Sequence, residues 1–195
     1  MCDVIALQEC EHEDEYVELK DSHCLFASVA AKDSRGFVQI YVRKGITADV
    51  VDMIAGDPSV AVRLTLDTPL GKKESLAVVA VHLPTGHAFS GLRARVLTRV
   101  QAKVGEFDER WMVVGDFNPS TDEEIEILCK TLNLKDARYA GVSWNAPGNL
   151  FYDGNRKNPG KRLDRVLFSR RVWAETHLVG QGKICLLYTS DAADE

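Results

Sequence analysis

The chain has 195 residues, with 24 Lys and Arg against 29 Asp and Glu, a formal charge of −5. A hydrophobic share of 45% with 27% charged residues is that of an ordinary globular protein, long enough for one substantial core. Its apolar runs are strand-sized, which excludes a membrane-spanning helix. The cysteines (Cys2, Cys10, Cys24, Cys129, Cys185) form no CxxC pair, which excludes a zinc module and reads as free thiols in a reducing, intracellular compartment, nucleus or cytoplasm.

Residues 3–8 are an apolar strand that ends in Gln8 and Glu9. A domain that opens this abruptly implies that a first strand is missing. Glu11 to Lys20 is charged and reads as a short exposed helix. Residues 23–31 and 36–44 are two strands joined by Lys32-Asp33-Ser34-Arg35-Gly36, a hairpin signal. Val60 to Leu66 alternates like a half-buried strand, and Asp67 to Lys73 is a turn with Pro and Gly. Ser75 to Leu83 is an apolar strand ending at His82.

Ser90 opens a helix with Leu92, Val96, Val100, Val104 and Phe107 on one face, and Arg93, Arg95, Arg99 and Lys103 over much of the rest. Trp111 to Gly115 is a buried strand. Ser120-Thr-Asp-Glu123 is a capping box, with Ser120 as N-cap, for a helix that runs to Leu132. Residues 139–162 form a long loop of Gly, Asn and Pro, and Leu163 to Ser169 is the last strand. The last eleven residues, from Cys185, resemble the translation of a sequencing-library adapter and are set apart from the fold; without them the charge is about −2. Strands outnumber helices without strict βαβ alternation, which argues for a layered α+β domain.

Several polar residues stand where strands end. Glu9 suits a hard cation such as Mg²⁺, which takes few protein oxygens and leaves the rest to water and phosphate; an exposed strand-end acid is the plainer alternative. Asp116 and Asn118 lie on one face at strand period. Asp116 suits the holding or deprotonation of a water, and Asn118 suits donation to a phosphate oxygen or to the aspartate; Asp-x-Asn is also a common turn. His82 suits a phosphate contact or a place in a hydrogen-bonded core. Asp164 suits a structural pair with Arg162 or Arg165, or the orientation of a histidine. Residues 156–171 hold seven cations against Asp164 alone, a local basic patch suited to nucleic acid or to a solvated loop. Trp144, beside Asn145, suits stacking on a base or anchoring in a core.

Leu7-Gln8-Glu9, His82-Leu83, Gly115-Asp116-Phe117-Asn118, Ser143-Trp144-Asn145 and Arg162-Leu163-Asp164-Arg165, in that order, closely resemble the motifs of the endonuclease/exonuclease/phosphatase superfamily. It includes deoxyribonuclease, abasic-site endonucleases, deadenylases, sphingomyelinases and inositol phosphatases. The resemblance covers residues 3–170 and implies a truncated, deoxyribonuclease-like four-layer α/β/β/α sandwich. On this reading residues 1–184 are a partial domain of that kind and 185–195 a non-native tail. It implies Glu9 as the Mg²⁺ ligand, with Mn²⁺ as a substitute. His82 contacts the scissile phosphate. Asp116 orients or activates the attacking water with help from Asn118, and Asp164 orients the catalytic histidine. Trp144, Asn145 and Arg165 lie beside the substrate.

Two elements of the pattern are absent: an asparagine on a first strand and a closing Ser-Asp-His that carries the catalytic histidine. His177 lacks that context. The polypeptide as written is therefore expected to be inactive and its parent active. The spacing from His82 to Arg93 and the stretch Arg162 to Phe168 are similar to those of 5′-tyrosyl-DNA phosphodiesterases, although Gly-Asp-Phe-Asn and His-Leu-Pro-Thr differ from that group's usual forms. The expected function is Mg²⁺-dependent phosphodiester hydrolysis at nucleic-acid ends, foremost DNA ends carrying a 5′-tyrosyl adduct in repair. An RNA nuclease or deadenylase, or an inositol or lipid phosphate hydrolase, is the alternative within the superfamily. A non-catalytic pseudo-nuclease that binds nucleic acid or protein is the alternative of a different functional class.

Overall fold

The computed structural model describes residues 2–11, 16–30, 36–54, 56–67, 71–105, 110–137, 143 and 160–172. Strands β1 (Val4–Cys10), β2 (His23–Ala30) and β3 (Phe37–Arg43) form a small antiparallel sheet in the order β1-β3-β2. Strands β4 (Thr47–Val51), β5 (Ser59–Asp67), β6 (Lys73–His82), β7 (Trp111–Asp116), β8 (Leu134–Asp136) and β9 (Asp164–Ser169) form a larger sheet in the order β4-β5-β6-β7-β9-β8. Among the described residues only β6 and β7 run parallel, because helix α1 (Ser90–Gly105) crosses between them. Helix α2 (Asp122–Thr131) follows β7.

Alternation along the strands makes two cores. Val38, Ile40 and Val42 of β3 meet Val60, Val62 and Leu64 of β5 and Val78 and Ala80 of β6 between the sheets. The opposite face of the large sheet sends Ala77, Val79, Val81 and Val113 against Val96, Leu97, Val100 and Val104 of α1 and Ile125 and Leu128 of α2. Each of these valines, leucines and isoleucines, fully buried, contributes roughly 1.5–3 kcal/mol. The result is the α+β sandwich expected from the sequence: helices, large sheet, small sheet. Gln39 and Tyr41, on the far face of β3, are 0% exposed, so that face too is covered. Among the described residues no helix is long and apolar enough to cross a membrane.

Three local expectations change. Of the expected helix over Glu11 to Lys20, the described residues 16–20 continue into turns up to residue 22. The Tyr16 amide is held by the Tyr41 hydroxyl, and the amides of Ser22 and His23 both end on the Leu19 carbonyl. The N-cap of α2 is Thr121, not Ser120: its hydroxyl accepts from the Glu124 amide, while Glu124, not Glu123, reaches back to the Ser120 amide. Finally, Arg93 leaves the solvent face assigned to it and is 1% exposed. The short strands β4 and β8 lie on segments whose sequence carries no strand signal. Most of the loop 139–162 and all of 185–195 lie outside the described residues.

Candidate active site

The parallel pairing of β6 and β7 brings both carboxyl ends to one mouth of the sandwich, where ligands of such sheets bind. His82 pairs with Asp116 there, and Asp116 pairs with Asp164 at the start of antiparallel β9. Three polar residues of different segments thus stand side by side by register alone. The small sheet supplies the fourth. Pairing of β1 with β3 slips between Leu7 and Cys10, a β-bulge, and Glu9 sits at φ 57 within it. Val4 and Ala6 face the large sheet, so strict alternation would send Gln8 inward and Glu9 outward. The bulge turns Glu9 inward as well, a recurrent use of bulges beside active sites. Its Oε1 lies 3.6 Å from His82 Nε2.

Two glycines permit this geometry. A Cβ on Gly36 would lie 2.8 Å from the Cys10 carbonyl oxygen and from the Glu9 carbonyl carbon, so only a bare backbone fits beside the bulge. Gly115 has φ +130, and a Cβ there would meet the Val81 carbonyl oxygen at 2.2 Å. Its absence lets β7 close onto β6 just before Asp116.

Asp116 is gripped by Asn118. The Asn118 amide donates to one carboxylate oxygen at 2.8 Å and its Nδ2 to the other at 2.9 Å. Nδ2 also donates to the Leu83 carbonyl at 2.9 Å, which ties the ends of β6 and β7 together. Both Nδ2 hydrogens are thereby used, so of the two roles open in the sequence Asn118 takes the one that holds the aspartate. His82 Nε2 lies 3.8 Å from Asp116 Oδ2. Burial pushes the Asp116 carboxyl up to about 7, and the charges of Asp164 and Glu9 add to this against the pull of Asn118. Burial holds the His82 imidazole below its ordinary value, so it is neutral at pH 7. Asp164 is exposed at the rim. The surrounding protein still raises its carboxyl, opposed first by a hydrogen bond with Ser143.

Ser143, the first residue of the Ser-Trp-Asn motif, is a site residue that the motif alone did not single out. Its hydroxyl accepts from the amides of Leu163 and Asp164 at 2.9 and 3.0 Å, and its own amide donates to the Lys161 carbonyl at 3.0 Å. Ser143 itself is thus fastened beside Asp164; Trp144 and Asn145 lie outside the described residues. Gln8 is a further member, with an Nε2 that is buried and without a hydrogen-bond partner.

The structure redirects the arginines. Asp164 was a candidate partner for Arg162 or Arg165; Arg162 binds Asp136 at 2.6 Å, and the charge of Arg165 still pulls the Asp164 carboxyl down. Arg165, 3% exposed, binds Asp136 at 3.2 Å and also pairs with Asp122. Arg165 faces α2 and β8, away from the mouth, because odd-numbered residues of β9 such as Leu167 pack into the helical core. Its expected place beside the substrate is therefore not where its side chain lies. Arg170 donates to Asn133 Oδ1 at 2.7 Å. The basic patch read from residues 156–171 is thinner than its sequence, since the fold uses Arg162 and Arg165 internally.

The donor set fits a hard divalent cation. It is all oxygen on the carboxylate side, and the charges of Asp164 and Glu9 help to raise Asp116. Among the described residues no three His, Cys, Asp or Glu side chains close into a cage. Mg²⁺ asks for one or two carboxylates rather than a cage.

The chain matches the sequence profile of the endonuclease/exonuclease/phosphatase family over residues 1–191. No curated protein sequence matches it. Similar solved structures include truncated TDP2 of Caenorhabditis elegans (TM-score 0.56, 20% identity, 86% of this chain and 70% of that one). D. rerio TDP2 complexed with single strand DNA product is another (0.53, 18%, 88% and 73%). A third is a β-hairpin deletion mutant of beta toxin from Staphylococcus aureus (0.54, 19%, covering 73% of this chain). The chain spans 57% of the length of that toxin. These identities speak to the fold, and the fold agrees with the profile. A match over nearly the whole sequence shows that the chain belongs to the endonuclease/exonuclease/phosphatase family, whose motif residues Glu9, His82, Asp116 and Asp164 meet here at one mouth of the sandwich.

Proposed function

We propose that the protein is a divalent-metal-dependent phosphodiesterase that acts on nucleic-acid ends, with the 5′-tyrosyl adduct of DNA as its first candidate substrate. The observation that carries the reading is the meeting of Glu9, His82, Asp116 and Asp164 from four strands at one mouth. Glu9 would hold Mg²⁺ or Mn²⁺, with Asp116 close by. The cation, when bound, supplies charge to phosphate oxygens and to a departing oxygen. His82, neutral and fixed by burial, presents Nε2 to the space between the carboxylates, where it suits an N–H donated to a phosphate oxygen. Asp116, with a carboxyl titrating near neutrality and both oxygens positioned by Asn118, suits the removal of a proton from an attacking water. Asp164 stands in register beside it, where the family pattern places the carboxylate that orients a histidine.

The nucleic-acid substrate is supported by the DNA-bound TDP2 neighbour and by the excess of cations in the sequence from 156 to 171. The internal use of Arg162 and Arg165 favours a second reading, a compact phosphate ester rather than an extended polyanion, such as an inositol or lipid phosphate. A panel of 5′-phosphotyrosyl DNA, poly(A) and inositol phosphates, assayed on the full-length protein with Mg²⁺, separates these readings. Cleavage of the tyrosyl adduct, lost in Glu9→Ala and Asp116→Asn, is the expected result. Turnover of none of them, or undiminished turnover in both variants, would refute the proposal and favour a non-catalytic binding role.

A further inference from the structure

A guanidinium has five N–H donors, and in Arg93 each one ends on an acceptor. Nε and one NH2 hydrogen bind the two Glu124 oxygens, both at 2.8 Å. NH1 binds the carbonyls of Pro84 and Gly86 at 2.8 and 2.9 Å, and NH2 reaches Ser120 Oγ at 3.0 Å. Glu124 completes the circuit by accepting from the Ser120 amide at 3.0 Å. Burial alone would raise the Glu124 carboxyl; Arg93 and the Ser120 amide outweigh it and hold it low.

The acceptors lie on two segments. Pro84 and Gly86 belong to the loop that follows His82, and Ser120 and Glu124 to the turn and helix that follow Asp116 and Asn118. Arg93 therefore joins, from behind, the two loops that Asn118 joins at the front through the Leu83 carbonyl. A buried ion pair seldom adds stability over an apolar pair of the same volume. What this one adds is a fixed distance between loops.

We propose that Arg93 is a positioning residue: its guanidinium locks the loop after His82 to the loop after Asp116 and so sets the spacing of the two groups across which the phosphate is attacked. The proposal rests on the phosphodiesterase reading above. Arg93 touches no substrate, being 1% exposed. Lysine, with three donors on one nitrogen, cannot serve both carbonyls, Ser120 and both Glu124 oxygens.

The test pairs hydrogen exchange with steady-state kinetics, both on the full-length protein. Arg93→Met should speed exchange of the Leu83, Phe117 and Asn118 amides by ~10-fold or more, and leave Val79 and Val113 in the strand interiors unchanged. It should lower kcat on the order of 100-fold, since displacements near 1 Å have that effect, with KM within about 3-fold. Arg93→Lys should recover part of both. Ser120→Ala and Glu124→Gln, which remove fewer contacts, should fall in order between wild type and Arg93→Met, and they carry the test if Arg93→Met does not fold. Unchanged exchange at the loop amides, or kcat within about 3-fold of wild type despite loosened loops, would overturn the proposal. If wild type cleaves no phosphodiester while the variants still loosen both loops, the functional reading fails and the clamp between the loops stands.

Discussion

Asp116 offers the sharpest test of the site, because function and stability pull on it in opposite directions. Its carboxyl is raised from an ordinary 3.8 to about 7 by burial, Asp164 and Glu9. Below pH 3.8 it carries a proton both folded and unfolded and has no effect on the equilibrium. Between 3.8 and 7 only the folded chain keeps the proton, so rising pH favours unfolding by 1.36 kcal/mol per unit. Above 7 the penalty is complete, at roughly 4 kcal/mol. Asp116→Asn removes the charge. The new Oδ1 still accepts from the Asn118 amide, and the bond from Asn118 Nδ2 is lost at about 1 kcal/mol. The variant should therefore be about 2–3 kcal/mol more stable than wild type at pH 8 in the presence of chelator, and about 1 kcal/mol less stable near pH 4. Urea denaturation of both proteins at the two pH values reads the difference directly; titrating groups remote from Asp116 cancel, and the altered titration of Asp164 and Glu9 is part of the effect. The same substitution should abolish hydrolysis, the trade between stability and activity expected of a reactive group. A stability difference that is the same at pH 4 and pH 8 would show that the carboxylates do not crowd one another, and the case for a cation at this mouth would fall with it.

Three further outcomes follow from the backbone and the rim. Gly115→Ala should cost more than ~3 kcal/mol by urea denaturation, since the new Cβ meets the Val81 carbonyl at 2.2 Å at φ +130; a loss under ~1 kcal/mol would mean that β6 and β7 are not so close. Gly36→Ala pushes on Glu9 through contacts of 2.8 Å. Millimolar Mg²⁺ should raise the melting temperature of wild type but not of this variant or of Glu9→Ala, and equal stabilisation of all three would place the cation elsewhere. Ser143→Ala leaves the Leu163 and Asp164 amides without their acceptor and should cost about 1–3 kcal/mol. It should also move the Asp164 carboxyl further up, as read by carbon NMR titration; a downward shift would contradict the assigned hydrogen bond.

The strands and helices that carry the site were legible because their side chains repeat at the period of their own backbone. Val60–Leu66, Ser75–His82 and Val96–Val104 announce a buried face with no knowledge of the neighbours. Elements β4 and β8 were not legible, because Thr47–Val51 and Leu134–Asp136 are short edge strands whose pairing comes from the sheet rather than from their own pattern. Arg93 failed for a related reason. A helical arginine among Arg95, Arg99 and Lys103 reads as solvated, and nothing local shows that Glu124, thirty-one residues away, will meet it. Arg165 failed in the opposite sense: its carboxylate partners, Asp122 and Asp136, lie far from it in sequence, so a residue spent on structure read as one available for substrate.

Composition and periodicity by themselves determined a layered α+β domain, and the polar residues closing its apolar strands marked Glu9, His82, Asp116 and Asp164 as the ones to watch. Only the tertiary structure decided that these four meet, because meeting depends on the parallel register of β6 with β7, on a bulge that turns Glu9 inward, and on two glycines where no Cβ fits. Local sequence encodes which way a side chain alternates. Which distant carboxylate it faces, and at what shared cost in desolvation and repulsion, is fixed when the sheets close on each other.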